Sequence, residues 1–130
     1  MPSPRRRRIV TPRPLTAREE LWIREILEHN PRWADVDLMD TRVVAECDCG
    51  NCGSVYLESS AAQNPGLVGT KGYVGRIEIR TIDDFGITIT LDQKDGRLSE
   101  LHVNPIDLRE PGDRALPDEW REKGHVVKPM

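Results

Sequence analysis

Three cysteines fall within six residues, in the run Cys47-Asp48-Cys49-Gly50-Asn51-Cys52-Gly53. Within it, Cys49-Gly50-Asn51-Cys52-Gly53 has the C-x-x-C-G form of a zinc knuckle. Such a turn aims two thiolates at one point, and its glycines free backbone amides to hydrogen-bond the sulfurs. A structural zinc needs four ligands. Cys47 offers a third thiolate, and His102 is the candidate fourth ligand, with His29 and His125 the other two histidines. No spacing selects among them, and no second knuckle follows. The competing reading is a tight turn between strands whose cysteines pack as small, weakly polar hydrophobes. Alternation along the strand would then point Cys47 into the core with Val43 and Ala45. Dithiol redox chemistry wants the motif at a helix N-terminus, which lowers the thiol pKa. Here Ser54-Val55-Tyr56-Leu57 follows, which reads as a strand.

A second group of candidate residues lies further on. Alternation places Arg76, Glu78, Arg80, Thr88, Thr90, Asp92, Glu100 and His102 on one strand face. Glu100 with His102 has the composition of an acid/base pair, and Arg80 could hold an anion. Next-but-one polar neighbours are also what any solvated strand face presents. Arg76, Glu78, Arg80, Glu100 and His102 are therefore read as an interaction face. The chain has no Gly-rich phosphate loop, no G-x-S-x-G elbow and no H-E-x-x-H. Asp35, Asp37 and Asp40 lack the Gly and terminal Glu of a calcium loop. No enzyme is expected and no catalytic residue is assigned. No cofactor is expected either, with zinc the one alternative.

The elements that would position these groups begin at Thr16. Thr16-Ala17-Arg18-Glu19 matches a capping box. Leu21, Trp22, Ile23, Ile26 and Leu27 follow at helical spacing, and Pro31 stops the run. The pattern predicts a helix over 16–29. A loop over 31–40 should pack Trp33 against it. Strands are expected over 41–47, 54–59, 73–82, 87–93 and 98–103. A long loop should fill 60–72, and residues 117–121 read as one helical turn carrying Trp120.

Register sharpens the sheet, because paired residues share a face. A three-residue Lys94-Asp95-Gly96 loop pairs Leu91 with Ser99, Ile89 with Leu101 and Ile87 with Val103. A two-residue Asp95-Gly96 turn would set Leu91 against Glu100. The longer loop keeps apolar against apolar, with Gly96 left-handed. An Asp83-Asp84-Phe85 loop likewise pairs Thr81 with Ile87, Ile79 with Ile89 and Ile77 with Leu91, and sets Arg76 against Asp92. Ile77, Ile79, Ile87, Ile89, Leu91, Leu101 and Val103 then form one apolar face, which the helix covers. The expected fold is α+β: an N-terminal helix packed on an antiparallel β-meander of about five strands.

Size and charge bound the rest. With 130 residues there is room for one ordinary domain. No run of about 18 apolar residues is present, so no transmembrane helix is expected. Arg5–Arg8 are followed by no apolar stretch of the secretory kind. Three clustered cysteines make no disulfide framework, and reduced thiols in a cytoplasm are the simplest reading. Five of the nineteen basic residues and none of the twenty-two acids lie in residues 1–14, which leaves residues 15–130 with a formal charge of −8. Residues 1–14, with four prolines, read as a disordered basic arm ahead of a single domain over 15–130.

The run Val44–Leu57, together with Asp95–Val103, resembles a group of small uncharacterised bacterial proteins. These carry a helix, then a C-x-C-G-C-x-S-V-type segment, and end on a D-G-x-L-S-E-L-E-V-type strand. This chain departs from the pattern by an inserted Asn51 and by His102 where an acid is usual. The resemblance implies bacterial origin and transfers no activity and no catalytic residue.

Together these features point to a small non-enzymatic interaction protein, of the immunity or antitoxin type, whose acidic body suits a basic protein partner. The alternative is a zinc-binding module built on Cys47, Cys49 and Cys52. Nucleic-acid contact through Arg5, Arg6, Arg7 and Arg8 is the lesser reading, because no aromatic residues interleave the arginines.

Overall fold

Thr16 starts the helix as expected. Its hydroxyl accepts from the Glu19 amide at 3.1 Å, and the Glu19 carboxylate accepts from the Thr16 amide at 2.9 Å, which closes the capping box. Helix α1 runs Ala17–Glu28 and buries Trp22, Ile23, Ile26 and Leu27. Asn30, just past its end, donates from Nδ2 to the Val74 carbonyl at 2.9 Å and so ties the helix exit to the sheet. The computed structural model describes residues 7–47, 53–81, 85–107 and 122–129.

Among the described residues, seven strands form one antiparallel sheet: β1 (Arg7–Pro14), β2 (Arg42–Cys47), β3 (Val55–Glu58), β4 (Lys71–Thr81), β5 (Phe85–Lys94), β6 (Arg97–Asp107) and β7 (Glu122–Pro129). Their order is β1-β2-β3-β6-β5-β4-β7. The β4–β5–β6 meander stands at the centre, and β3 joins it to the N-terminal strands through β6. The α+β fold with its meander is as the sequence indicates. Two strands are added, one at each edge.

Both added strands correct the sequence reading. Residues 7–14, expected in a disordered arm, pair with β2 as an edge strand. Pro12 and Pro14 are tolerated there because an edge strand need donate on one side only. Strand β7 lies beyond the last strand expected, which ends at residue 103, and pairs along β4. The turn expected over 117–121 falls outside the described residues, as do Arg5, Arg6, Cys49 and Cys52.

The apolar face is the expected one. Ile77, Ile79, Ile87, Ile89, Leu91, Leu101 and Val103 are each at most 1% exposed, and Trp33 joins them from the loop after the helix. The register is not the expected one. Leu91 lies opposite Leu101, and Ile89 opposite Val103. Ile79 lies opposite Ile87, and Ile77 opposite Ile89. The β5–β6 connection is the two-residue Asp95-Gly96 turn, with φ of 56° and 77°. Two positive φ values are what a type I′ hairpin requires. The turn is compatible with the apolar face because Gln93 faces Leu98 while Asp92 faces Glu100, leaving Ser99 as a bulge on β6. One extra residue restores the parity that the short turn would break.

Helix and sheet approach closely at Gly75. A Cβ there would lie 2.6 Å from Ile26 Cγ2. The absence of a side chain lets α1 settle onto β4.

Candidate functional site

The pairing registers map the sheet face opposite α1 row by row. One row runs Ile9, Ala45, Tyr56, Glu100, Asp92, Tyr73 across β1, β2, β3, β6, β5 and β4. The next runs Arg7, Cys47, then Ser54 just before β3, then His102, Thr90, Arg76 and Lys128. Beyond it, Thr88 lies between Asn104 and Glu78. Arg76, Glu78, Glu100 and His102 thus share one face, as alternation predicts, but it is half-buried where a solvated face was expected; Arg80 lies further along β4.

Cys47 is placed by a bulge. The β2–β3 register shifts between Val43 and Ala45, so Val43 faces Leu57 but Ala45 faces Tyr56. Cys47 therefore leaves the Val43 side and joins Tyr56, beside Arg7, whose guanidinium lies 5.3 Å from the Tyr56 ring centre. Ala45 and Cys47 are 0% and 6% exposed yet lie outside the apolar cluster under the helix. This corrects the expectation that Cys47 shares the face of Val43. His102 lies two strands away across the same face, roughly 9–10 Å at sheet spacing. His29 ends α1, its Nδ1 3.0 Å from the Glu25 carbonyl oxygen. Among the described residues, no three His, Cys, Asp or Glu side chains gather in a metal-holding arrangement.

The corrected register changes the electrostatics. Asp92 pairs with Glu100 on β6 and, on β4, with Tyr73 and not Arg76. Burial raises its carboxyl pKa above the ordinary value and repulsion from Glu100 adds to this, while His102 partly offsets both. Arg76 faces Thr90 instead.

A concavity of a different kind lies away from this face. A cleft of about 400 Å³ opens between the loop after α1 and the loop after β3. Asp35, Asp37 and Asp40 line it, with Arg32 as the one basic lining residue among the described residues and Val36 as an apolar wall. Asp40 accepts from the Ser60 hydroxyl and, at 2.8 Å, from the Ser60 amide. These bonds, with Arg42 nearby, hold its carboxyl below the ordinary value. Asp37 accepts from the Met39 amide at 2.8 Å. The floor is braced: Gln63 donates to Thr41 Oγ1 at 2.7 Å and accepts from the Leu98 amide at 3.0 Å, and Thr41 Oγ1 lies 3.2 Å from Ser59 Oγ. In the sequence the three aspartates suggest only a calcium loop, which they fail to match. Their spacing across one short loop is the available signal, and the wall from residues 59–63 is not visible in it.

A smaller cavity of about 190 Å³ lies between β1, the start of α1 and β2. Arg13 bridges it. Its guanidinium donates to both Glu19 carboxylate oxygens, at 2.9 and 3.1 Å, and to Glu46 at 3.5 Å. Arg8 holds the other Glu46 oxygen at 2.9 Å. Burial works to raise the Glu19 carboxyl, but the bonds from Arg13 and Thr16 outweigh it and leave the pKa below the ordinary value.

No protein-family model, curated protein or solved structure matches the chain.

Proposed function

We propose that this chain is a non-enzymatic binding protein for a basic protein partner, in the manner of an immunity- or antitoxin-type neutraliser. The observation that carries the reading is the braced cleft lined by Asp35, Asp37 and Asp40. Its acids suit a lysine or arginine head group, and Val36 offers a surface for the aliphatic stem of such a side chain. Asp40 is fixed by two hydrogen bonds before any partner arrives, so little ordering is left to do on binding. The formal charge of −8 on residues 15–130 would steer a basic partner toward the body as a whole. Arg76, Glu78, Arg80, Glu100 and His102 form the secondary face of this reading.

The test is capture from the native host with wild type and with an Asp35→Lys/Asp37→Lys double variant. A stoichiometric basic protein should be retained by wild type and released at about 0.5 M salt. The variant should lose it. A partner held equally by both, or no stoichiometric partner, would refute the assignment. The zinc-module alternative rests on Cys49 and Cys52. Metal counting on untagged protein decides it, since a structural site holds its zinc tightly; less than about 0.2 zinc per chain ends it.

A further inference from the structure

Strands β2 to β6 each bury apolar side chains in the cluster under α1. Strand β1 does not. Ile9 is 75% exposed, and Val10 is only partly buried against the cluster. Its ladder to β2 is interrupted, with pairs at Arg7–Ile9 and again at Arg13–Pro14 but a shift of register between them. What fastens β1 instead is charge. Arg8 is paired with Glu46, Arg13 is forked onto Glu19 and reaches Glu46, and Arg7 is stacked on Tyr56.

The geometry points to β1 as a releasable strap, which detaches as a unit while the helix and the β4–β5–β6 meander stay folded. Its release opens the cavity beneath it and uncovers the flank of Cys47, which pairs directly with Arg7. The charged and titratable groups that meet there are Arg8 and Arg13 from β1, Arg18 and Glu19 from α1, and Glu46 and Cys47 from β2. Two arginines bridge two glutamates, so the contact weakens as salt screens it, whereas apolar burial does not. Elements with few buried apolar contacts are the ones that open below the global unfolding threshold. The inference does not depend on what the aspartate cleft binds.

Amide hydrogen exchange on the full chain tests it, with wild type, Arg13→Ala and Arg13→Lys compared at about 0.05 and 0.5 M salt. In Arg13→Ala, and in wild type at the higher salt, residues 7–14 should exchange about ten-fold faster or more while β4–β6 are unchanged. Arg13→Lys, with one donor point instead of a fork, should fall between. In a chain carrying Cys49→Ser and Cys52→Ser, alkylation of Cys47 should accelerate in step. Exchange in 7–14 as slow as in β5 under every condition would overturn the strap. So would Arg13→Ala loosening all elements together. Faster exchange in β1 with unchanged alkylation of Cys47 would overturn the uncovering.

Discussion

Replacing Gly96 by alanine separates a turn requirement from a packing requirement. Gly96 sits at φ 77° in the β5–β6 turn, a region that costs an L-residue about 1–2 kcal/mol. A Cβ there would also meet the Asn64 carbonyl oxygen at 2.1 Å and the Asn64 carbonyl carbon at 2.9 Å. Neither is the end of a flexible side chain, so the 60–70 loop must move. The Asn64 amide donates to the Gly96 carbonyl at 2.8 Å, and the Gly96 amide donates to the buried Gln93 side chain at 2.9 Å. Losing one such bond adds about 1 kcal/mol. The expected cost is about 2–3 kcal/mol, or about 8–12 °C in Tm for a domain of this size. Gly69 is the control: its φ is 87°, but a Cβ added to it would have no neighbouring atom within 4 Å. Gly69→Ala should show the backbone cost alone. Urea and thermal unfolding followed by circular dichroism read both variants. A Gly96→Ala loss no larger than that of Gly69→Ala would refute the clasp between turn and loop.

The charged groups give two more tests. Asp92 opposes Glu100, and its carboxyl pKa is raised by burial first and by that repulsion second. Asp92→Asn should therefore stabilise the protein at neutral pH, by a few tenths to about 1 kcal/mol. The raised pKa means that the ionised form opposes folding, so the penalty is lifted as pH falls through that value and the advantage of the variant shrinks; unfolding free energy against pH for the pair reads this. Glu19 behaves with the opposite sign. Its carboxyl is held below the ordinary range, so its contribution is fully present above the unfolded value of about 4.3 and is lost as pH falls through the lower folded one. Glu19→Gln should cost about 1–2 kcal/mol at neutral pH, with the gap to wild type closing in acid; a constant gap would refute the linkage.

The helix and the apolar face were legible because each depends on a short-range pattern. The capping box is four residues long, and the face assignment needs only alternation. Pairing was legible only to within parity. Every expected central pair was displaced, Leu91 from Ser99 to Leu101 and Ile77 from Leu91 to Ile89. None of the seven apolar residues Ile77, Ile79, Ile87, Ile89, Leu91, Leu101 and Val103 changed face, because a displacement of two preserves the pleat. Alternation alone does not separate the two registers, although the observed one sets Leu91 against Leu101 and the other sets it against Ser99. The consequence of the displacement appears on the polar face, where Asp92 has Tyr73 in place of Arg76 on β4 and meets Glu100 on β6.

The bulges explain why the candidate site was harder to read than the core. A bulge adds one residue and so exchanges the faces of everything beyond it. At Ser99 this reconciles a short Asp95-Gly96 turn with the apolar pattern, a combination that strict alternation rejects. At Val44 it moves Ala45 and Cys47 off the Val43 side and onto that of Tyr56, where no run of alternating apolar residues announces burial. The edge strand β1 defeats pattern reading for a related reason. Apart from the half-buried Val10 and the exposed Thr11, its residues are arginine, proline and exposed isoleucine, with no apolar period, because its charged and ring partners are Glu19, Glu46 and Tyr56 from three other elements. A segment held by charges distant in sequence leaves no local periodicity, so its own residues look like those of a disordered arm.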